Sequence, residues 1–499
     1  MNPTKNQQRT RLYFAVLLVS ILWIGSAFTF TATPAKPNTD ETKIVILHVN
    51  DMHAAIDRFS KIAKYVETEK QQNENVFFFD AGDNFTGNPV VDQYKPKGDP
   101  VRQLLYKMKV DVLELGNHEF DFGQELLKGF ITGAPFPVIS ANIEVKSGII
   151  PQPKPFTILK TKNGIKIAVL GLIQVEKQNG MPSSHPDNLK GLTFPDPLET
   201  AKKYKYLRKD NEVFIALTHL GTEDDEPLAK LMPELDVIVG GHSHTTIDKQ
   251  MEVNGVLITQ AASSGKYVGR IELVVKNGKV IQKTSKLIDV KNLTESNPEL
   301  DEMIKKFNDN PELDKIVVKY PRSYRGKLEL GNYTTDAIRK LFNLDAAFHN
   351  SGGLRIDALP EDVKLRDIYS LHPFSNSIVK FEMTPEEIRS LIRFDYEKNK
   401  GLDLKVSGLV YIVTADKDGK VKSIDLRDRR GNPLDENKTY TVGINDYISA
   451  SYKFNHKDPG KSLMLTAAEV LLQAIEKKLD ITKRIECART LDIIDADEQ

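Results

Sequence analysis

Short, nearly continuous apolar runs recur through the first half of this chain, and most of them stop at a cluster of Asp, Asn, His and Gly. The runs occupy 43–49, 76–79, 110–115, 138–139, 165–172, 213–217, 237–239 and 256–259. A strand apolar on every residue belongs in a sheet covered on both faces. Amphipathic helical stretches, such as 62–70, 100–108 and 197–209, lie between several of the runs. Alternation of this kind predicts an α/β domain. In such domains functional groups gather beyond the carboxyl ends of the strands.

The polar clusters sit where that rule places them. They are Asp51-Met52-His53, Asp80-Ala81-Gly82-Asp83, Gly116-Asn117-His118, Thr218-His219 and Gly240-Gly241-His242-Ser243-His244. Carboxylate, imidazole and amide ligands without thiolate suit Zn²⁺, Mn²⁺, Fe or Co. Asp51 and His53 lie two apart and point the same way from an extended strand end. Asp83 is placed to bridge two cations, held ~3.5–4 Å apart as in two-metal hydrolases. Asn117 adds a neutral oxygen, His219 and His242 add imidazoles, and His244 returns toward the first cation. His118 is offset from the ligands, with Asp121 three residues on to orient it, and is expected to act as proton donor and charge stabiliser. An isolated histidine after a strand is usually structural, and His48 is read that way. Clustering of the other five with Asp, Asn or Gly at ligand spacing is not what chance supplies.

A chain of 499 residues exceeds one ordinary core. The catalytic domain is expected over 43–291, a charged connecting helix without strand-like runs over 292–319, and a second, α+β unit over 320–499. Formal net charge is +0, and no basic block interleaves with aromatics. A nucleic-acid polymer is therefore not an expected partner. Lys5, Arg9 and Arg11 precede an apolar run over 12–30, followed by small residues. Residues 1–35 thus resemble an export signal, favoured over a retained anchor that would attach the protein to a membrane through 12–30. Residues 36–42 read as a linker. The single cysteine, Cys487, excludes an intramolecular disulfide, which suits a bacterial periplasm or cell surface.

The blocks Ile46-Leu47-His48-Val49-Asn50-Asp51-Met52-His53, Asp80-Ala81-Gly82-Asp83, Gly116-Asn117-His118-Glu119-Phe120-Asp121 and Gly240-Gly241-His242-Ser243-His244 resemble those of the 5′-nucleotidase family of metallophosphoesterases. That family includes UDP-sugar hydrolases and cyclic-nucleotide phosphodiesterases. The resemblance continues through Asn350-Ser351-Gly352-Gly353-Leu354-Arg355, His372-Pro373-Phe374 and Val406-Ser407-Gly408. It implies a four-layer α/β/β/α catalytic domain and a C-terminal substrate-recognition domain, with the active site between them. It also implies one metal on Asp51, His53, Asp83 and His244, and a second on Asp83, Asn117, His219 and His242. Asn350 and Arg355 fall on substrate contacts, and Phe374 with Tyr447 would form a base-stacking clamp.

Two departures bear on specificity. Where the family commonly has Gly-Gly-Asp, this chain has Ser451-Tyr452-Lys453, which removes an acidic ribose contact and offers a cation to a second phosphate. The first phosphate-binding arginine lies in an altered spacing, with Arg325 favoured over Arg322. The leading expectation is an exported, dimetal-dependent hydrolase of nucleoside 5′-monophosphates or related nucleotides. Nucleotide-sugar or 2′,3′-cyclic nucleotide hydrolysis is the alternative within the same chemistry. Thiosulfate-ester hydrolysis is less favoured because stacking aromatics are present. A non-catalytic, metal-containing surface receptor is the alternative outside enzyme chemistry, disfavoured because a structural metal site needs no acid–base pair beside it.

Overall fold

Ile44 and Ile46 point to one face of the first strand, Glu41–Val49, and Val45, Leu47 and Val49 point to the other, and all five are buried. The uniformly apolar runs thus come from strands with protein on both sides. The computed structural model describes residues 41–146, 148–177, 179–481 and 488–494. The basic and apolar segment over 1–35, most of the linker over 36–42, and Cys487 lie outside the described residues. Glu41 and Thr42, read as linker, already belong to the first strand. No helix among the described residues is long and apolar enough to cross a membrane.

The first half holds two six-stranded sheets. One runs in the order Lys279–Asp289, Tyr267–Lys276, Glu41–Val49, Val76–Asp80, Val112–Glu114, Val138–Ile139. The other runs Met251–Val253, Val256–Thr259, Val237–Val239, Val213–His219, Lys166–Ile173, Phe156–Lys160. Their central strands are parallel. Ile44, Ile46, Phe79 and Val112 of the first sheet meet Val169, Ile215, Leu217 and Val239 of the second in a dry layer between them. Helices Phe59–Gln72, Asp99–Lys107 and Gln124–Gly133 cover the outer face of the first sheet through Ile62, Val66, Leu104 and Leu127. Pro197–Lys202 and Thr222–Leu231 cover the second through Ala201, Leu228 and Ala229. The architecture is the four-layer α/β/β/α arrangement.

The hairpin Tyr267–Lys276/Lys279–Asp289 adds two strands that the apolar runs did not reveal. Its turn is Asn277-Gly278, both in the left-handed region (φ 52 and 72), as a two-residue hairpin turn requires. The segment 292–319 also differs from a plain connecting helix. Its helix is Pro298–Asn308, which packs Leu300 and Ile304 onto the first half. Ile316–Lys319 is a strand paired with Asp362–Lys364, as its β-branched residues favour.

The second half centres on a mixed five-stranded sheet in the order Lys405–Ser407, Ala346–His349, Tyr440–Asn445, Ser377–Met383, Lys461–Thr466. A three-stranded sheet, Val421–Asp428, Leu409–Asp416, Arg489–Ile494, lies beside it in sequence. Gly326–Leu341, Pro385–Asn399 and Ala467–Glu476 are its longer helices. Thr384 and Glu387 start the second of these with a reciprocal capping box ahead of Pro385, and Thr466 with Glu469 does the same for the third. Both halves belong to one unit running from Thr42.

Candidate active site

Parallel pairing of Val49 with Asp80 sets the loops after the first two strands side by side. Asp51, His53 and Ala54 donate their backbone N–H groups to the carbonyls of Gly82, Asp83 and Asn84 at 2.8, 2.9 and 2.8 Å. The turns are sharp enough that Asp51, His53, Asp83, His242 and His244 all adopt positive φ, between 43 and 77. Gly116 lies close against Asp83, and a Cβ on it would fall 2.2 Å from Asp83 Oδ1. Glu119, which the sequence did not single out, clamps this region. Its carboxylate accepts from the backbone N–H groups of Asp83, Asn84 and Gly116 at 2.8, 2.7 and 2.7 Å.

The structure brings together all seven residues expected to hold metal. Asp51, His53 and His244 form one group, and Asp83, His219 and His242 another. His53 Nε2 lies 2.9 Å from His244 Nε2, and His244 Nε2 lies 3.3 Å from Asp51 Oδ1. His219 Nε2 is 3.0 Å from Asp83 Oδ2, and His242 Nδ1 is 3.0 Å from Asn117 Oδ1. Two imidazole nitrogens meeting at one point repel unless a proton or a cation lies between them.

His219 gives the fit test for metal. Its Nδ1 donates to the Ala81 carbonyl at 2.7 Å, which is how a metal-ligating histidine is usually oriented. Its Nε2 is buried without a hydrogen-bond partner and faces Asp83 and Asp51. Burial alone would lower the pKa of this ring, but the carboxylates of Asp83 and Asp51 outweigh it and push it up to about 10. The pocket therefore favours positive charge at that nitrogen, and a divalent cation would supply it in place of the proton. Burial, with the neighbouring Arg355, His118 and His244, holds His53 well below the usual histidine range. His242 is lowered to about 4 by burial and then by His219. Neutral imidazoles are the form in which histidine binds metal, so the donor set fits the expected pair of cations.

His118 Nδ1 meets Asp121 Oδ2 at 2.7 Å in the turn after Asn117. Burial opposes charge on His118, but Asp121 and Asp83 more than offset it and raise its pKa. Phe374 from the second half stacks on the His118 ring at 5.5 Å and 16°. Arg355 Nη2 reaches to 3.2 Å from His53 Nε2, with its guanidinium 5.7 Å from the centre of the Phe374 ring. These contacts bring the second half directly onto the candidate metal centre.

A cleft of about 640 Å³ runs between the halves. Asp83, Asn117, His118, Asp121, His242 and His244 line one side, and Asn350, Arg355, Phe374 and Tyr447 the other. Tyr447 contacts Tyr452 (6.5 Å, 73°), whereas the ring partner of Phe374 is His118, so both aromatics line the cleft without stacking on each other. Arg325 is not brought to the cleft. It is exposed at the start of Gly326–Leu341, where its N–H bonds Glu329 and its Nε reaches Ser323. Arg322 is likewise exposed and paired with Glu329. Lys453 is exposed and does not line the cleft, while its neighbour Tyr452 does. Lys398 and Glu176, absent from the sequence reading, pair at 2.9 and 3.1 Å beside Tyr447 and Tyr452.

Residues 44–246 match the family described as Calcineurin-like phosphoesterase, and residues 312–454 match that described as 5′-nucleotidase, C-terminal domain. The chain is 26% identical to the Trifunctional nucleotide phosphoesterase protein YfkN of Bacillus subtilis (strain 168), over 90% of its own length and 35% of that relative. It thus spans about a third of that protein. It is 28% identical to a 5′-nucleotidase of Vibrio cholerae, over 84% of this chain and 87% of the relative. The crystal structure of a 5′-nucleotidase precursor from Thermus thermophilus superimposes with a TM-score of 0.77 at 22% identity, covering 90% of this chain and 99% of that one. With a calcineurin-like phosphoesterase domain on one side of the cleft and a 5′-nucleotidase C-terminal domain on the other, the chain belongs to the 5′-nucleotidase family of metallophosphoesterases, which are phosphoester hydrolases.

Proposed function

We propose that this protein is an exported, dimetal-dependent phosphohydrolase that removes phosphate from nucleoside 5′-monophosphates or related nucleotides. Asp51, His53, Asp83 and His244 would hold one divalent cation, and Asp83, Asn117, His219 and His242 the other. When bound, such a pair lowers the pKa of water and polarises a phosphoryl oxygen. Arg355 adds a planar, permanently charged donor for the phosphate. His118, whose charged form Asp121 and Asp83 favour, delivers its proton to the departing ester oxygen. Phe374 and Tyr447 offer ring faces to a base, and Asn350 offers a donor and an acceptor to a polar edge.

The observation that carries this reading is the placement of Phe374 and Arg355 against His118 and His53. It joins an aromatic, phosphate-binding wall to a proton donor and a cation-demanding pocket. Catalytic and recognition domains over 43–291 and 320–499 are part of the proposal, as is export directed by residues 1–35. The test is a panel of nucleoside monophosphates, UDP-sugars and 2′,3′-cyclic nucleotides assayed with Zn²⁺, Mn²⁺ or Co²⁺. Preferential release of phosphate from monophosphates supports the assignment. Preference for UDP-sugars or cyclic nucleotides would move it to the diesterase alternative, and metal-loaded but inert protein would favour a receptor.

A further inference from the structure

Asp121 is held through both carboxylate oxygens and through its backbone. Its Oδ2 bonds His118 Nδ1 at 2.7 Å, its Oδ1 accepts from Ser184 Oγ at 3.3 Å, and its backbone carbonyl accepts from Asn188 Nδ2 at 3.2 Å. The last two donors come from one loop. That loop is itself anchored, because Gln124 Nε2 donates to the carbonyls of Asn188 and Lys190 at 3.1 and 2.8 Å. Upstream, the Ser183 carbonyl accepts from Asn117 Nδ2 at 3.0 Å, and Ser183 Oγ donates to Glu176 at 2.7 Å. Glu176 in turn receives Lys398 from the second half. The Ser184 side chain is buried, so its hydroxyl gives up water to face Asp121.

A carboxylate bonded through one oxygen can swing about its Cβ–Cγ bond and lose its partner. A donor on the other oxygen removes that freedom. We propose that Ser184 is a positioning residue of the hydrolytic centre, fixing Asp121 and through it the imidazole of His118 for proton delivery to the leaving group. The inference rests on the proton-donor role of His118 given above. Loss of one such hydrogen bond is expected to reduce kcat about tenfold where the leaving group needs a proton.

The experiment compares AMP, which leaves as an alkoxide, with p-nitrophenyl phosphate, which leaves as a weakly basic phenolate needing no proton. In S184A, kcat on AMP should fall about tenfold, while KM and the turnover of p-nitrophenyl phosphate stay within about twofold. Equal falls on both esters, or none, would overturn the proposal. If S184A does not fold, S184T and S184V make the same comparison at nearly equal volume, with only the threonine variant keeping the AMP rate. H118A separates the two claims. The same split in H118A without one in S184A overturns the role of Ser184 alone, and no split in H118A overturns the role of His118 and this inference with it.

Discussion

His118 Nδ1 and Asp121 Oδ2 lie 2.7 Å apart in a half-buried turn, and Asp121 is one of two carboxylates that raise the pKa of the imidazole. A proton donor must be protonated, so activity falls as pH rises through its pKa, and a raised pKa extends activity upward. Asp121→Asn removes part of that support. The upper limb of the kcat–pH profile should move to lower pH, and kcat at neutral pH should fall about 10²-fold. A profile unchanged in position would exclude Asp121 from this role.

Asp83 Oδ2 lies 3.0 Å from His219 Nε2 and stands between the two groups of candidate ligands. Asp83→Asn should lower metal content and reduce turnover by about 10³-fold or more, measured by elemental analysis beside a phosphate-release assay. Chelation of the wild type should abolish turnover and lower Tm, because a ligand that binds only the folded state stabilises it by mass action. Full activity in chelator would refute the metal assignment.

The Lys398–Glu176 pair joins the two halves with side chains only 15% and 9% exposed. Removing one partner leaves the other charge buried, so Lys398→Met and Glu176→Gln should each destabilise by about 3 kcal/mol. The double variant should recover part of that loss. Strict additivity in denaturant melts would show that the pair is not coupled.

Asp395 is buried in the second half and accepts from the N–H groups of Asp403 and Leu404 at 3.1 and 3.0 Å. Burial, helped by the charge of Asp403, still raises its pKa to about 7. The folded state therefore binds a proton that the unfolded state has released. Stability contributed by this group is present at low pH and falls as pH rises from the ordinary Asp value of 3.8 to about 7. Between about pH 5 and about pH 8, Tm of the wild type should drop more than that of Asp395→Asn. Identical slopes would exclude the group.

The α/β alternation, the seven candidate ligands and the His118–Asp121 pair were legible in short runs of sequence at and around strand ends, whereas the four-layer stacking was implied by the family resemblance. The hairpin after residue 266 was legible in principle from Asn277-Gly278, but its outer strand alternates with polar residues and shows no apolar run. Lys398 and Glu176 were not legible, since 222 residues separate them and nothing in either segment marks the other as a partner. The same holds for Ser184, which matters only because its loop folds back over Asp121. Arg325 is the candidate that lies apart from the others. Its segment departs from the family spacing, and the residue lies exposed at the start of Gly326–Leu341, its backbone N–H bonded to Glu329, away from the residues lining the cleft.

The positive φ angles of Asp51, His53, Asp83, His242 and His244 have a consequence for the protein's durability. A side chain in the left-handed region gives up about 1 kcal/mol relative to glycine, so these positions together forgo roughly 5 kcal/mol. That is comparable with the whole margin by which a small domain stays folded. Glycine at any of them would relieve that strain but remove a donor from the centre, and at Asp83 or Asp51 also the carboxylate that accepts from the N–H of His118 or His242. The backbone strain is thus concentrated where the candidate donors converge.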